Sequence, residues 1–468
     1  MRRSSPAWIV ALALTLPAVG RAQTEASAAD RTLARDIFRE LIEINTTDSL
    51  GNTPRAARAM ARRLLAAGFP AADAQVLIGP DAKHGNLVAR YRGTGAGGRP
   101  IIVFAHLDVV PARPSDWSVD PFTFLEKDGY FYGRGSTDDK VGDAVLVANF
   151  ILLKRAGFKP TRDLILVLTG DEETAGSCIQ WLVTKHRDLI DAAFALNTDA
   201  GGGVLREGQR IMFAIQASEK VYATYVLEAT DKGGHSSLPR PADNPVYRLA
   251  PFLERLAQYQ FPVKLNEVSR AFFEHSAAID TGRLADDMRG VLKDPPDSAA
   301  VARLSAVPFY NSKLRTTCVA TMLEAGHAEN ALPQSARATV NCRILPGEPA
   351  SEVEATLRRL AGDDRITLRT LYAPIPSPPS PLTPAIMGPL ERLVTEQFPK
   401  VPIVPVMEAG ATDGLFLRNA GIPTYGVSAV FEEQNDVRAH GRDERIGVQS
   451  FYDALEFWYR MMRAFAGS

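Results

Sequence analysis

The chain has 468 residues, with 53 Lys plus Arg against 54 Asp plus Glu and a formal net charge of −1. No block of one sign stands out, which argues against nucleic acid and anionic membrane as partners, and the length allows two domains of about 100–200 residues each. Three cysteines, Cys178, Cys318 and Cys342, make neither a disulfide scaffold nor a CxxC metal site. At the start of the chain Arg2 and Arg3 precede an apolar stretch over 8–16, a break at Pro17 and the small-residue pattern Gly20-Arg21-Ala22. That pattern predicts a secretory signal peptide, residues 1–22, cleaved near Ala22. The stretch is too short for a bilayer-spanning helix of about 20 apolar residues, so the expectation is an exported protein, periplasmic or secreted, with no membrane attachment once the leader is removed.

Apolar residues recur at helical spacing over 31–44, and Thr53-Pro54 opens a second helix that ends at Gly68. Apolar, β-rich runs follow at 86–91, 101–105, 164–168 and 192–196, with helical patterns at 143–156 and 177–186 between the later ones. This alternation predicts an α/β unit with a mainly parallel sheet covered on both faces. Around residue 216 the pattern changes. A half-exposed strand at 221–229, a helix at 245–259, strands at 316–324 and 336–345, a helix at 351–360 and a strand at 366–371 describe an α+β, ferredoxin-like unit over 216–372. It is inserted into an α/β domain made of 23–215 and 385–468, and the proline-rich stretch 373–384 is its exit linker. Residues 262–315 show no clear period and are expected to form a helical or irregular excursion of the inserted unit. Cys318 and Cys342 lie equidistant from residue 330 in two strand-like runs. They are either small buried hydrophobes or a facing pair able to close in an oxidising compartment.

His106 and Asp108 lie just beyond the apolar run 101–105, Glu172 and Glu173 beyond 164–168, and Asp199 beyond 192–196. In open α/β sheets, sites are built outside the carboxyl ends of the strands, so three strand ends present acids or histidine to one rim. Asp138 and Asp139 occupy a turn-forming stretch before the helix near residue 143, and His440 comes late in the chain. Two histidines with four carboxylates suit hard or borderline divalent ions, zinc above all. Each member alone reads as a satisfied histidine or a solvated turn; the weight lies in the conjunction.

Taken in order, the strings FAHLDVVP, GRGSTDDK, TGDEETAG, NTDAG, GGHSSLP and HGRDERI resemble the two-zinc amidohydrolase family of glutamate carboxypeptidases, succinyl-diaminopimelate desuccinylases, acetylornithine deacetylases and aminoacylases. The 117–122 stretch and the GHSS string look most like the carboxypeptidase S branch. The resemblance implies that His106 and Asp199 bind one Zn2+, that Glu173 and His440 bind the other, and that Asp138 bridges them, with Co2+ or Mn2+ able to substitute. It places Asp108 behind His106, its carboxylate accepting the remaining ring N–H, and Asp139 at a helix N-terminus, where the macrodipole favours a carboxylate. Glu172 is then the general base and later acid. His235 would stabilise the oxyanion, supplied by the neighbouring subunit in dimeric relatives, although the residue alone reads as a surface-turn histidine. Asn330 and Arg343 resemble substrate contacts, with Arg343 gripping a carboxylate bidentately or, on the plainer reading, salt-bridged in its strand. Gly410 and Thr412 belong to a loop that lines the substrate pocket or is a simple turn.

The implied activity is hydrolysis of an amide bond next to a free carboxylate, in a small peptide or an N-acyl amino acid. The inserted domain would serve as a mobile lid and a homodimer surface. Dipeptidase and aminoacylase are narrower alternatives, and a noncatalytic peptide-binding protein is a reading from another class. Two departures stand out: His440 is followed by Gly-Arg-Asp-Glu where many relatives have Asn before the Glu, and 262–315 matches no motif.

Overall fold

The computed structural model describes residues 26–467; the expected leader, 1–22, lies outside them. The first helix, Ala28–Glu43, starts at a capping box in which Ser27 and Asp30 bond each other's backbone. The second, Thr53–Ala66, carries Pro54 in its first turn, where the missing N–H costs nothing.

A ten-stranded sheet forms the frame. At its centre Leu164–Thr169, Ile101–His106, Phe194–Asn197 and Thr424–Gly426 lie side by side and parallel. Each is buried along its whole length, the consequence of uninterrupted Ile, Val, Leu and Phe runs covered on both faces. One face packs on Ala28–Glu43, Lys140–Arg155 and Val448–Ala466 through Phe38, Phe150 and Trp458, and the other on Ser177–Lys185 and Gly414–Asn419 through Ile179, Leu182 and Leu417. Towards both edges the pairing turns antiparallel, through Gly85–Tyr91 with Ala74–Ile78 on one side and Gln209–Glu219 with Gly202–Arg206 on the other. The sheet as a whole is therefore mixed, with a parallel core.

The inserted unit holds a separate four-stranded antiparallel sheet in the order Thr317–Ala325, Ser335–Ile344, Val221–Thr230 and Ile366–Thr370. Helices Pro245–Gln258 and Ala350–Ala361 cover one face, where Tyr225, Phe252, Val340 and Leu357 form the core. Cys318 stands opposite Cys342 and the two form a disulfide with a Cα–Cα distance of 4.1 Å. Cys178 is free and buried.

The 262–315 excursion departs from its expected place. It is helical, comprising Glu267–Ile279, Gly282–Val291, Ser298–Ser305 and Pro308–Leu314, but it packs on the main sheet and not on the lid sheet. Phe272, Phe273, Met288 and Leu304 cluster with Ala214, Val404 and Val406 of strands Gln209–Glu219 and Ile403–Glu408. The reason is burial: Ile403–Glu408 pairs only with Gln209–Glu219, and without the excursion the apolar side chains on this face would stand in water. Among the described residues no helix is long and apolar enough to cross a membrane.

Candidate active site

The parallel core delivers His106, the Glu172-Glu173 pair and Asp199 to one rim, because each follows or ends a central strand. A three-stranded sheet, Leu125–Lys127, Tyr130–Tyr132 and Arg445–Gly447, ties the segment before Asp138 to the segment after His440. The ligand atoms fall into two groups, His106/Asp138/Asp199 and Asp138/Glu173/His440, each within 4.8 Å, with Asp138 common to both. His106 Nε2 lies 3.0 Å from Asp138 Oδ1 and 3.6 Å from Asp199 Oδ1, while His440 Nε2 lies 3.0 Å from both Asp138 Oδ2 and Glu173 Oε2. The two oxygens of one carboxylate thus face two separate imidazoles, the arrangement required to bridge a pair of cations.

Charge points the same way. Burial, then the charge of neighbours beginning with Asp138, pushes the Asp199 carboxyl up to about 7, and burial followed by the Asp199 charge raises Glu172 well above the usual carboxylate range. Hydrogen bonds to Asp138 and Glu173 push His440 up to about 10. Burial opposes a charged His106, yet Asp199, Asp108 and Asp138 together raise its pKa well above the usual value. Acids crowded about two imidazoles make a site that a cation stabilises, and divalent ions of borderline softness fit this O/N donor set.

His106 Nδ1 faces the backbone carbonyl of Asp108 at 3.1 Å, whereas the Asp108 carboxylate lies 3.6 Å away. The expected carboxylate-to-imidazole bond is therefore replaced by an N–H donated to the main chain, which leaves Nε2 for metal. The Asp108 carboxylate instead accepts the amides of Glu172 and Glu173 at 3.1 and 3.0 Å. Those amides follow the strand Leu164–Thr169 and have left its ladder, and their adjacent N–H groups match the two oxygens. Asp139 stands at the expected helix N-terminus, that of Lys140–Arg155, but caps no helical N–H, and its Oδ2 accepts the Thr198 hydroxyl at 2.6 Å. Gly142 permits this contact, since a Cβ there would lie 2.0 Å from Thr198 Oγ1.

Glu444, the acid after His440 that stood out in the sequence, is fully buried and binds the whole Asp138 turn. It accepts Arg134 Nη1 at 2.6 Å, the amides of Gly135, Thr137 and Asp138 at 3.1, 2.8 and 3.2 Å, and the Thr137 hydroxyl at 3.0 Å. Arg134 donates as well to the carbonyls of His440 and Gly441. Asp171, overlooked in the sequence, accepts the amides of Ser177 and Cys178 and pins the turn after Glu173. Only its place inside TGDEETAG could have drawn attention to it.

The lid residues are arranged differently. Gly234–His235 pairs with Ala331–Leu332, and the Ser236 amide donates to the Asn330 carbonyl at 3.1 Å. His235 Nδ1 accepts the Ser237 amide at 3.2 Å. This brings His235 and Asn330 together, but among the described residues none of their hydrogen bonds runs to the metal ligands. Arg343 stacks over Tyr222 and donates to the carbonyl of Ala409 at 3.0 Å, next to Gly410. It is therefore not salt-bridged within its strand. Gly410 lies open. Thr412 does not offer its hydroxyl to the pocket: its amide and Oγ1 both donate to Glu219 Oε2, at 3.2 and 3.0 Å. Glu219, also missed, is fully buried at the strand end where the chain leaves for the lid, and it further accepts Gln216 Nε2 and, from the returning linker, Ser377 Oγ. Arg418 pairs with it at 3.2 Å.

The profile of Peptidase family M20/M25/M40 matches residues 102–464, and the chain belongs to that family, a class of metallopeptidases and amidohydrolases with a dinuclear metal site. It is similar to the N-fatty-acyl-amino acid synthase/hydrolase PM20D1 of Xenopus tropicalis, 31% identical over 371 residues that cover 78% of this chain and 72% of that protein. The human PM20D1 is 30% identical, covering 78% and 74%, and the probable carboxypeptidase S-like 2 of Dictyostelium discoideum is 27% identical, covering 81% and 74%. Among solved structures, the M20 family metallo-carboxypeptidase Sso-CP2 from Sulfolobus solfataricus shares the fold with a TM-score of 0.68 at 19% identity, over 92% of this chain and 99% of that one.

Proposed function

We propose that the protein hydrolyses the amide bond of N-acyl amino acids or the C-terminal bond of small peptides, using two zinc ions. The observation that carries this reading is the Asp138 carboxylate shared between two ligand groups, with Glu172 held beside them by Asp108. His106 and Asp199 would hold one ion, Glu173 and His440 the other, and Asp138 both. With the ions bound, the site gains a Lewis acid for the scissile carbonyl and a means of acidifying water. The Glu172 carboxylate, held beside the two groups through its amide on Asp108, takes a proton from water and returns it to the leaving amine. His235 accepts at Nδ1 from Ser237, which leaves Nε2–H to donate to the carbonyl oxygen once the lid closes. Arg343 and the open loop at Gly410 take the free carboxylate, with Asn330 beside the reacting group. The names of the PM20D1 relatives favour N-acyl amino acids, and those of the carboxypeptidase relatives favour peptides.

Export is supported by the 1–22 pattern and by the Cys318–Cys342 disulfide, which suits an oxidising compartment; an uncleaved N-terminus on the native protein would remove this part. A homodimer through the lid is supported by Thr317–Ala325, which pairs on one side only and exposes Val319, Met322 and Leu323. Sedimentation as a monomer at micromolar concentration would rule it out. The central test is a panel of N-acyl amino acids and blocked dipeptides against their C-terminal amides, with and without chelator. Cleavage of the acids alone, lost with chelator, is expected; equal rates on acids and amides would remove the role given to Arg343.

A further inference from the structure

A cavity of about 620 Å³ lies between the excursion helices and the strands Gly202–Arg206, Gln209–Glu219 and Ile403–Glu408, within the usual ligand-pocket range of about 300–1,000 Å³. Met212, Ala214, Phe272, Met288 and Val406 give it an apolar floor. One end is formed by Gly201 and Gly202, directly after the Asp199 turn, and by Glu432 and Val437, on the segment that leads to His440. The cavity and the metal-ligand set thus share two turns. Burial, then the charges of Glu444 and Asp138, push the Glu432 carboxyl up to about 7.

A helical cover whose sole task was to shield Ile403–Glu408 would pack closed against it, as protein interiors do. Here the cover stands off, and large apolar side chains remain in water around the opening: Val307 is 43%, Phe309 52% and Val437 62% exposed. Exposed apolar surface gathered round one concavity marks a binding site. The one cation in the lining that is buried, Lys313, is already engaged, donating to the Met407 carbonyl and lying 3.8 Å from Glu408.

We propose that this cavity receives the apolar acyl chain of an N-acyl amino acid, so that the excursion helices set a preference for long acyl groups. The inference rests on the hydrolase reading above. If the free carboxylate goes to Arg343 and the scissile carbonyl to the metal ligands, the acyl chain must leave the reacting carbon in another direction. The apolar space beside the Asp199 and His440 turns accommodates it.

The test uses the mature, zinc-loaded protein and N-acyl leucines from acetyl to dodecanoyl. Each methylene buried should raise kcat/KM roughly threefold until the cavity is full. Ile279→Trp, which places a bulky ring at a half-buried lining position, should lower the dodecanoyl-to-acetyl ratio of kcat/KM at least tenfold. Phe309→Ser, at the exposed rim, gives the same readout if Ile279→Trp does not fold. A chain-length profile that is flat or falling while acetyl-leucine is cleaved overturns the acyl pocket alone, as does a ratio unmoved in both variants. No cleavage of any acyl leucine, with blocked dipeptides still cleaved, overturns the acyl pocket alone; cleavage of neither class overturns the hydrolase reading as well.

Discussion

At the sheet rim, Asp138 is fixed through Glu444 and Arg134, and Glu172 and Glu173 hang from Asp108 by their backbone amides. At the lid tip, His235 and Asn330 are exposed, and among the described residues their segments bond to each other and not to the rim. The rim is preorganised, its ligands held by backbone and charge from segments some 300 residues apart in the chain, as metal geometry demands. The tip has no hydrogen bond to the rim among the described residues, as suits a group proposed to reach the substrate only on closure. On the proposed reading, the rim would bind and activate and the lid would complete the site.

Three substitutions would break or sharpen that contrast. The largest effect is expected from Glu172→Gln, which should lower kcat by roughly 10²–10⁴-fold while metal content, read by elemental analysis, stays at two ions per chain. Retained turnover would move the base elsewhere. Next, Glu444→Ala leaves Arg134 buried without its partner, 3% exposed, and should cost about 3–5 kcal/mol of stability in denaturant titration as well as weakening metal affinity. A loss under 1 kcal/mol would show that the rim does not depend on that clamp. The smallest effect should come from Cys318→Ser. Opening the crosslink between residues 24 apart should cost about 3 kcal/mol, confined to the lid and seen as faster proteolysis there with the metal content unchanged. If metal were lost with the crosslink, the two halves would not be independent.

The convergence of the five candidate ligands was legible in the sequence because each sits at a strand end or in a turn, where position along the chain fixes position in space. The parallel core was legible for a similar reason, since continuous apolar runs leave few alternatives. What was not legible is the choice of partner. Asp108 could serve an imidazole or two amides, and only the path of the 170–173 turn decides between them. Nothing near Glu444 in the chain announces Arg134, 310 positions away. The excursion was assigned to the lid because it lies between lid strands in sequence, but the apolar face that needed covering belongs to Ile403–Glu408.

Glu219 carries one more consequence. Both connections by which the lid is suspended meet at this carboxylate, the outgoing strand in Glu219 itself and the returning linker through Ser377, and the loop beside Gly410 hangs from it through Thr412. Pivot and loop would then act as one lever under the proposed closure: torque from the lid would reach the loop that flanks Arg343, and a carboxylate seated on that loop would pull the hinge toward closure.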